Sequence, residues 1–174
     1  MRNSRLNEKT RSILDEMWLE ARGKGSSLSF KIASGSMRPI NRTGNTVRVR
    51  RVQPSEIRTG DIVAFQEDRH VVVHRVIGKV LDGQQTLFRH MGDAGLLSGT
   101  MSARNIIGRV ISVNRDGQEI ILDKTRYILD GKIMVWRSRL VDRLNRVQSR
   151  YFRKNFRFIA APVWRLYRNM LWRG

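Results

Sequence analysis

The sequence predicts a mainly β protein flanked by helices, and three observations indicate this fold class. Seven short runs of alternating apolar and polar residues lie between residues 28 and 123, as in antiparallel strands. Turn-forming clusters such as RTGN, LDGQ and NRDG separate these runs. Helical spacing of apolar residues precedes and follows them. We therefore expect an N-terminal amphipathic helix (residues 1–25), a β domain (26–124) and a basic helical tail (125–174).

The first element is a helix, followed by the strands. Apolar residues recur at helical spacing between residues 6 and 22, and Gly23 and Gly25 end the pattern. The predicted strands are LSFKIA, TVRVRRV, DIVAF, HVVVHRVIGKV, QTLFRHM, IIGRVISV and QEIILD. Many short strands at close spacing are typical of a small antiparallel sheet or a coiled barrel.

A helical pattern returns in the basic tail. From about Gly131 to Tyr151 apolar residues recur every three or four positions, with arginines between them. Pro162 predicts a break, because the residue before a proline is pushed out of helical conformation. The following VWRLYRNMLW predicts a second short amphipathic helix.

Composition limits what the chain can do. The absence of cysteine excludes disulfides, thiolate metal sites and cysteine nucleophiles. The net charge is +19, and the last 50 residues hold thirteen of the 34 Lys and Arg but two of the 15 Asp and Glu. Such a tail favours a polyanion, either nucleic acid or an anionic membrane. The sequence has no apolar run of the roughly 18 residues that span a bilayer and no cleavable signal peptide, so we expect a cytoplasmic or peripheral membrane protein.

Three short stretches contain the side chains that hydrolysis needs: Ser36 in SGSMRP, His74 in VVVHRVIG and Asp93 in HMGDAG. A serine hydroxyl becomes a nucleophile when a base takes its proton, and a carboxylate can hold that base in the correct tautomer. Each residue also has a structural interpretation. A serine in a glycine-rich turn usually serves the turn, a histidine among valines often only packs, and an aspartate after glycine often only turns the chain.

Taken in order, SGSMRP, GDIVAF, HRVIG and GDA resemble the conserved boxes of the signal peptidase I family, over about residues 28 to 113. The resemblance implies a signal peptidase/LexA-like coiled β-sheet (β-clip-like) with Ser36 as the nucleophile. It also implies that Ser34 donates to the oxyanion beside the Ser36 backbone N–H. His74 stands where the endoplasmic-reticulum-type branch, also found in archaea and some bacteria, has its base, and Asp93 stands at the acid box.

The chain departs from that branch in one respect. A second acid usually follows about six residues after the first, but position 99 is Gly99. Two other bases compete with His74, namely His70 on the same strand face and Lys79. A zinc site is a further alternative, since histidine and carboxylate are suitable ligands; it would use His70, His74, His90 and Asp93.

The resemblance implies a serine endopeptidase of a bacterial or archaeal cell that needs no cofactor and no metal. Its substrate would be a polypeptide with small residues at the cleavage site, bound as an added strand. Arginines interleaved with aromatic residues in the tail favour an anionic membrane surface as a partner. Two alternatives stay open: a LexA-like DNA-binding regulator, for which the N-terminal segment is short, and a catalytically inactive interaction protein at the membrane surface.

Overall fold

One antiparallel sheet dominates the computed structural model, which describes residues 2–21, 27–68, 70–83, 85–122 and 125–146. Within these ranges there are two helices and eight strands. They are α1 (Arg2–Ala21), β1 (Ser27–Lys31), β2 (Thr46–Arg50), β3 (Ile62–Glu67), β4 (His70–Asp82), β5 (Gln85–Met91), β6 (Gly99–Ser102), β7 (Ile106–Arg115), β8 (Gln118–Ile121) and α2 (Thr125–Arg146). Short 3-10 turns at Pro54–Glu56 and Ala103–Asn105 precede β3 and β7.

The strands are ordered β1-β2-β7-β3-β4-β5-β6, and β8 pairs with β7. The long strand β4 changes partner along its length. Its first half, from His70 to Arg75, pairs with β3, and its second half, from Arg75 to Asp82, pairs with β5. A register shift between Val76 and Gly78 accompanies this change, and such bulges bend a strand and re-aim its side chains. His74 therefore lies where the sheet coils.

The larger hydrophobic core lies between α1 and the sheet. Leu14, Trp18 and Ala21 recur at helical spacing and are buried against β1, β2, β3 and β7. Met37 and Ile40, from the segment after β1, are buried in the same core. The N-terminal helix and the turn around Ser36 thus share one core with the sheet.

Helix α2 covers the second half of β4. Val141 packs with Ile77 and Met91, and Arg139 donates from Nε to the Ile77 carbonyl at 3.1 Å. The close contact between α2 and β4 needs a small residue at position 131, because a Cβ on Gly131 would lie 3.2 Å from Arg75 Nη1. The helix is therefore seated directly behind the strand that carries His74.

The mainly β fold class expected from the sequence is confirmed, and every predicted strand is present in its expected order. The structure adds β6, a four-residue strand without a long alternating run, and begins α2 at Thr125, before the apolar repeat. The predicted second tail helix and the tail aromatics beyond residue 146 lie outside the described residues. No helix in the described part of the chain is long and apolar enough to cross a membrane.

We expect Trp18→Ala to lower the free energy of unfolding by about 3–5 kcal/mol, because this substitution leaves a large cavity in a core. The Trp18 side chain is only 6% exposed, whereas Leu19 beside it is 58% exposed. Leu19→Ala is the matched control and should change stability by about 0.5 kcal/mol or less. Urea unfolding of both variants measures the difference, and equal small losses would contradict the packing of α1.

Candidate active site

Ser36 lies in a tight turn between β1 and β2, and backbone hydrogen bonds and the buried Met37 hold this turn in place. The Arg38 N–H donates to the Gly35 carbonyl at 3.2 Å, and the Asn41 N–H donates to the Met37 carbonyl at 3.2 Å. Met37 is buried in the core. Because the Met37 side chain is fixed in the core, the neighbouring Ser36 side chain, which is half-buried, is held at the surface. Its Oγ lies 3.2 Å from the Ser34 Oγ, so one hydroxyl donates to the other.

The loop after β5 closes over this turn. The Ala94 N–H donates to the Ser36 carbonyl at 2.8 Å, and the Asp93 N–H donates to Met37 Sδ at 3.5 Å. A Cβ on Gly92 would lie 2.7 Å from the Ser36 carbonyl oxygen, a distance that real side chains do not tolerate. Glycine at position 92 therefore allows the GDA stretch to contact the SGSM stretch, which lies more than fifty residues away in sequence.

His74 reaches the same point from β4. The position that a Cβ on Gly92 would occupy is 3.1 Å from Ser36 Cβ and 3.2 Å from His74 Nε2. The predicted nucleophile and the predicted base thus face one another across Gly92. They do not hydrogen bond in this structure, where the Ser36 hydroxyl pairs with that of Ser34. Catalytic hydrogen bonds are often long before a substrate binds.

Asp93 does not hold His74, contrary to the expectation for a Ser-His-Asp triad. Both of its carboxylate oxygens accept from Arg75, at 2.8 Å from Nε and 2.7 Å from Nη2. The two side chains are 2% and 1% exposed. Neighbouring residues of a strand point to opposite faces, so Arg75 and His74 diverge and Asp93 lies on the Arg75 side. Asp93 acts on His74 only through its charge, which raises the His74 pKa.

The partner of His74 is a second histidine. His74 Nδ1 and His90 Nδ1 are 3.0 Å apart, within hydrogen-bonding distance, and the two rings are stacked with an interplanar angle of 28°. The Phe65 ring packs against His90 at 4.6 Å between centroids. From the sequence alone, His90 is a candidate only as a metal ligand. Its role could not be read from a motif, because it depends on how β5 pairs with β4.

Burial keeps both imidazoles neutral. It is the main cause that lowers the His74 pKa from 6.5 to about 4; His90 lowers it further, while Glu67 and Asp93 raise it. Burial likewise lowers the His90 pKa to about 4. At neutral pH His74 therefore has an unprotonated nitrogen, as a general base requires.

The competing candidates lie elsewhere. Lys79 extends over the Phe88 ring, with Nζ 5.3 Å from its centroid, and exposed His70 pairs with Glu67 in the β3–β4 ladder. The zinc alternative is not supported, because no group of three or more histidine, aspartate or glutamate side chains among the described residues is arranged to hold a metal ion.

Helix α2 also contacts the site. Arg137 donates from Nη1 to the Asp93 carbonyl at 3.0 Å, and Arg75 donates from Nη1 to the Gly60 carbonyl at 2.7 Å. Arg75 from β4 and Arg137 from α2 thus both bind Asp93 and hold the loop that carries Gly92. Arg137, together with Arg139 on the same helix, binds carbonyl groups of the β domain, so these two tail arginines have structural contacts.

No protein-family model matches the sequence, and a search of curated proteins finds no significant match. What the site can do chemically therefore has to follow from its own geometry.

We expect Asp93→Asn to destabilise the protein by about 3–5 kcal/mol, because it leaves the Arg75 charge buried without its partner. The double variant Arg75→Met/Asp93→Leu should recover much of this loss, since it removes both charges. Denaturant unfolding of Arg75→Met, Asp93→Leu and the double variant gives the coupling energy. Additive losses in the double variant would contradict a coupled buried pair.

We expect the free energy of unfolding to fall as the pH drops from about 6.5 to about 4. In this range an unfolded histidine, with a pKa near 6.5, binds a proton, whereas His74 and His90 with pKa values of about 4 do not. The unfolded state then holds more protons, so acid favours unfolding. A His74→Gln/His90→Gln variant should show a flatter profile between pH 6.5 and 5; an unchanged slope would contradict neutral buried imidazoles.

Proposed function

We propose that this protein is a serine endopeptidase of the signal peptidase I type, which cleaves peptide bonds after small residues through an acyl-enzyme on Ser36. One observation carries the proposal: Ser36 Cβ and His74 Nε2 lie 3.1 Å and 3.2 Å from the same point, the position that a Cβ on Gly92 would occupy. The proposed nucleophile and base come from separate regions of the sheet, and only glycine at position 92 leaves room for both. Acyl transfer needs such a nucleophile beside a base.

In the proposed reaction His74 Nε2 takes the proton of the Ser36 hydroxyl as Oγ attacks the substrate carbonyl carbon. The same nitrogen returns the proton to the leaving amine, and a peptide amine departs while Ser36 retains the acyl group. Water then attacks the ester, with His74 again accepting and returning a proton. The neutral state of His74 at physiological pH supports this role.

Two donors are available for the oxyanion. The Ser36 backbone N–H donates to no acceptor among the described residues. The Ser34 hydroxyl lies 3.2 Å from Ser36 Oγ, close to the atom that attacks. If the Ser34 hydroxyl rotates from Ser36 Oγ toward the developing negative charge, it would supply the electrostatic stabilisation typical of an oxyanion hole.

The sheet supports binding of an extended polypeptide. Strand β1 pairs with β2 on one side only within the described residues, and it runs directly into the turn that carries Ser36. An unpaired edge offers backbone donors and acceptors to an added strand. The change of partner along β4 is compatible with the coiled β-sheet of the signal peptidase/LexA type, which forms part of this proposal.

A membrane surface is the proposed second partner, on the cytoplasmic face of a bacterial or archaeal membrane. Trp136 on α2 is 68% exposed, and Leu129 and Ile128 on the same helix are also exposed. Apolar side chains beside basic ones favour an anionic lipid interface. DNA binding through a helix-turn-helix is less well supported, because α1 buries its apolar face in the core of the sheet.

We expect Ser36→Ala to abolish cleavage of a peptide in which an A-x-A sequence is followed by further residues, with at least about 10³-fold loss of kcat/KM, because the nucleophile is removed. Ser12→Ala, on the exposed face of α1, is the matched control and should keep full activity. Mass spectrometry after treatment with a serine-reactive fluorophosphonate should find the label on Ser36. Equal cleavage by wild type and Ser36→Ala would refute the proposal.

A further inference from the structure

We propose that His90 is the positioning residue for the His74 base, in the role that a carboxylate has in most serine hydrolases. This inference rests on the proposed function, because it assigns the third member of that same site. The inference rests on the contact between the Nδ1 atoms of His74 and His90, which are 3.0 Å apart. His74 thus contacts His90 through Nδ1 and faces Ser36 with its other nitrogen, Nε2.

The contact is built into the sheet. His90 lies opposite Val76 in the β4–β5 ladder, and Val76 shares a strand face with His74 because side chains alternate. The Phe65 ring packs on His90 and lies 6.0 Å from His74 between centroids. His90 is 4% exposed. Its imidazole is therefore fixed by packing, as a group that orients another must be.

Gly99 provides the space for this imidazole. It lies directly opposite His90 in the β5–β6 ladder, and a Cβ at this position would lie 2.8 Å from both Cε1 and Nε2 of His90. Any side chain at position 99 would have to displace the ring. Gly99 and His90 thus form a complementary pair, and an acidic side chain at position 99, where the resemblance implies one, would collide with this ring.

The proton arrangement follows from the chemistry of the pair. His74 must present a bare Nε2 to Ser36, so its proton is on Nδ1 and donates to a bare His90 Nδ1. When His74 takes the serine proton, both of its nitrogens carry hydrogen, and the same donation continues. His90 neither gains nor loses a proton in the cycle. Its own proton is on Nε2, which is buried and has no partner among the described residues.

The charged groups around His74 and His90 are consistent with a His90 acceptor that remains neutral. Glu67 on β3 and Asp93 on the loop act on His74, and Arg75, on the other face of β4, is bound to Asp93. Burial lowers the His90 pKa to about 4, so His90 keeps its bare Nδ1 over the physiological pH range.

The decisive experiment compares His90→Asn with His90→Leu. Asparagine places an oxygen acceptor near the position of Nδ1, whereas leucine has a similar shape and no acceptor. We expect His90→Leu to lower kcat on the A-x-A peptide by about 10²-fold, with KM nearly unchanged, because a misoriented base loses general-base catalysis. His90→Asn should stay within about tenfold of wild type. Equal kcat values for wild type and a folded His90→Leu would overturn the inference.

A second measurement does not depend on cleavage. In ¹⁵N-resolved imidazole spectra, we expect wild type and His90→Asn to have His74 protonated on Nδ1, and His90→Leu to show a mixture of both tautomers. A wild-type His74 protonated on Nε2 would overturn the inference. If Ser36→Ala cleaves as well as wild type, the peptidase proposal fails, while these spectra still decide whether His90 positions His74.

A compensating change separates a positioning role from simple packing. Gly99→Asp alone should lose activity, because its side chain collides with the His90 ring. In the double variant His90→Ala/Gly99→Asp the carboxylate can enter the vacated space, and we expect kcat to exceed that of His90→Ala by about tenfold or more. A double variant that folds but is no more active than His90→Ala would contradict the placement of position 99 beside the base.

Discussion

The buried ion pair between Arg75 and Asp93 is the interaction on which the site depends. Arg75 is on β4, next to His74, and Asp93 is on the loop that covers Ser36, so two hydrogen bonds join the strand of His74 to the loop over Ser36. Removing two charges from water is costly unless their geometry is good. Here the pair is bidentate, and Arg75 Nη1 also donates to the Gly60 carbonyl. The pair therefore fixes Gly92 between serine and histidine.

This use of Asp93 changes what the other residues must do. Both oxygens of the Asp93 carboxylate are directed at Arg75, on the face of β4 opposite His74, so Asp93 does not hydrogen bond to the His74 imidazole. The orientation of His74 then depends on the contact with His90. The stabilising charge and the orienting group, which one acid usually combines, are separate here. Asp93 supplies a distant charge, and His90 supplies the hydrogen bond.

The sequence predicted seven of the eight strands, because alternation and turn residues are local signals, but it did not predict β6 or the order of the strands in the sheet. Its short motifs also led us to expect Ser36, His74 and Asp93 in one site. It did not predict the partner of His74. Asp93 follows a glycine and resembles an acid box, yet its partner is set by which face of β4 it meets, and Arg75 is the residue paired with Met91 just before this loop. His90 stands two residues before the GDA motif, and no motif assigns it a role. Its contact arises from the β4–β5 register, and Gly99 makes room for it from the next strand.

A neutral orienting group has a chemical consequence for the base. A carboxylate in contact with the imidazole would favour its protonated form and raise its pKa, whereas burial and the second imidazole lower the His74 pKa to about 4. The base is then unprotonated even in mild acid, but it is intrinsically weaker. In the proposed mechanism no contacting charge would offset the imidazolium formed during attack, so oxyanion stabilisation by Ser34 and the Ser36 N–H would have to supply a larger share of the rate. The adjacent hydroxyl of Ser34 is thus the residue on which such a site would depend most, after Ser36 and His74 themselves.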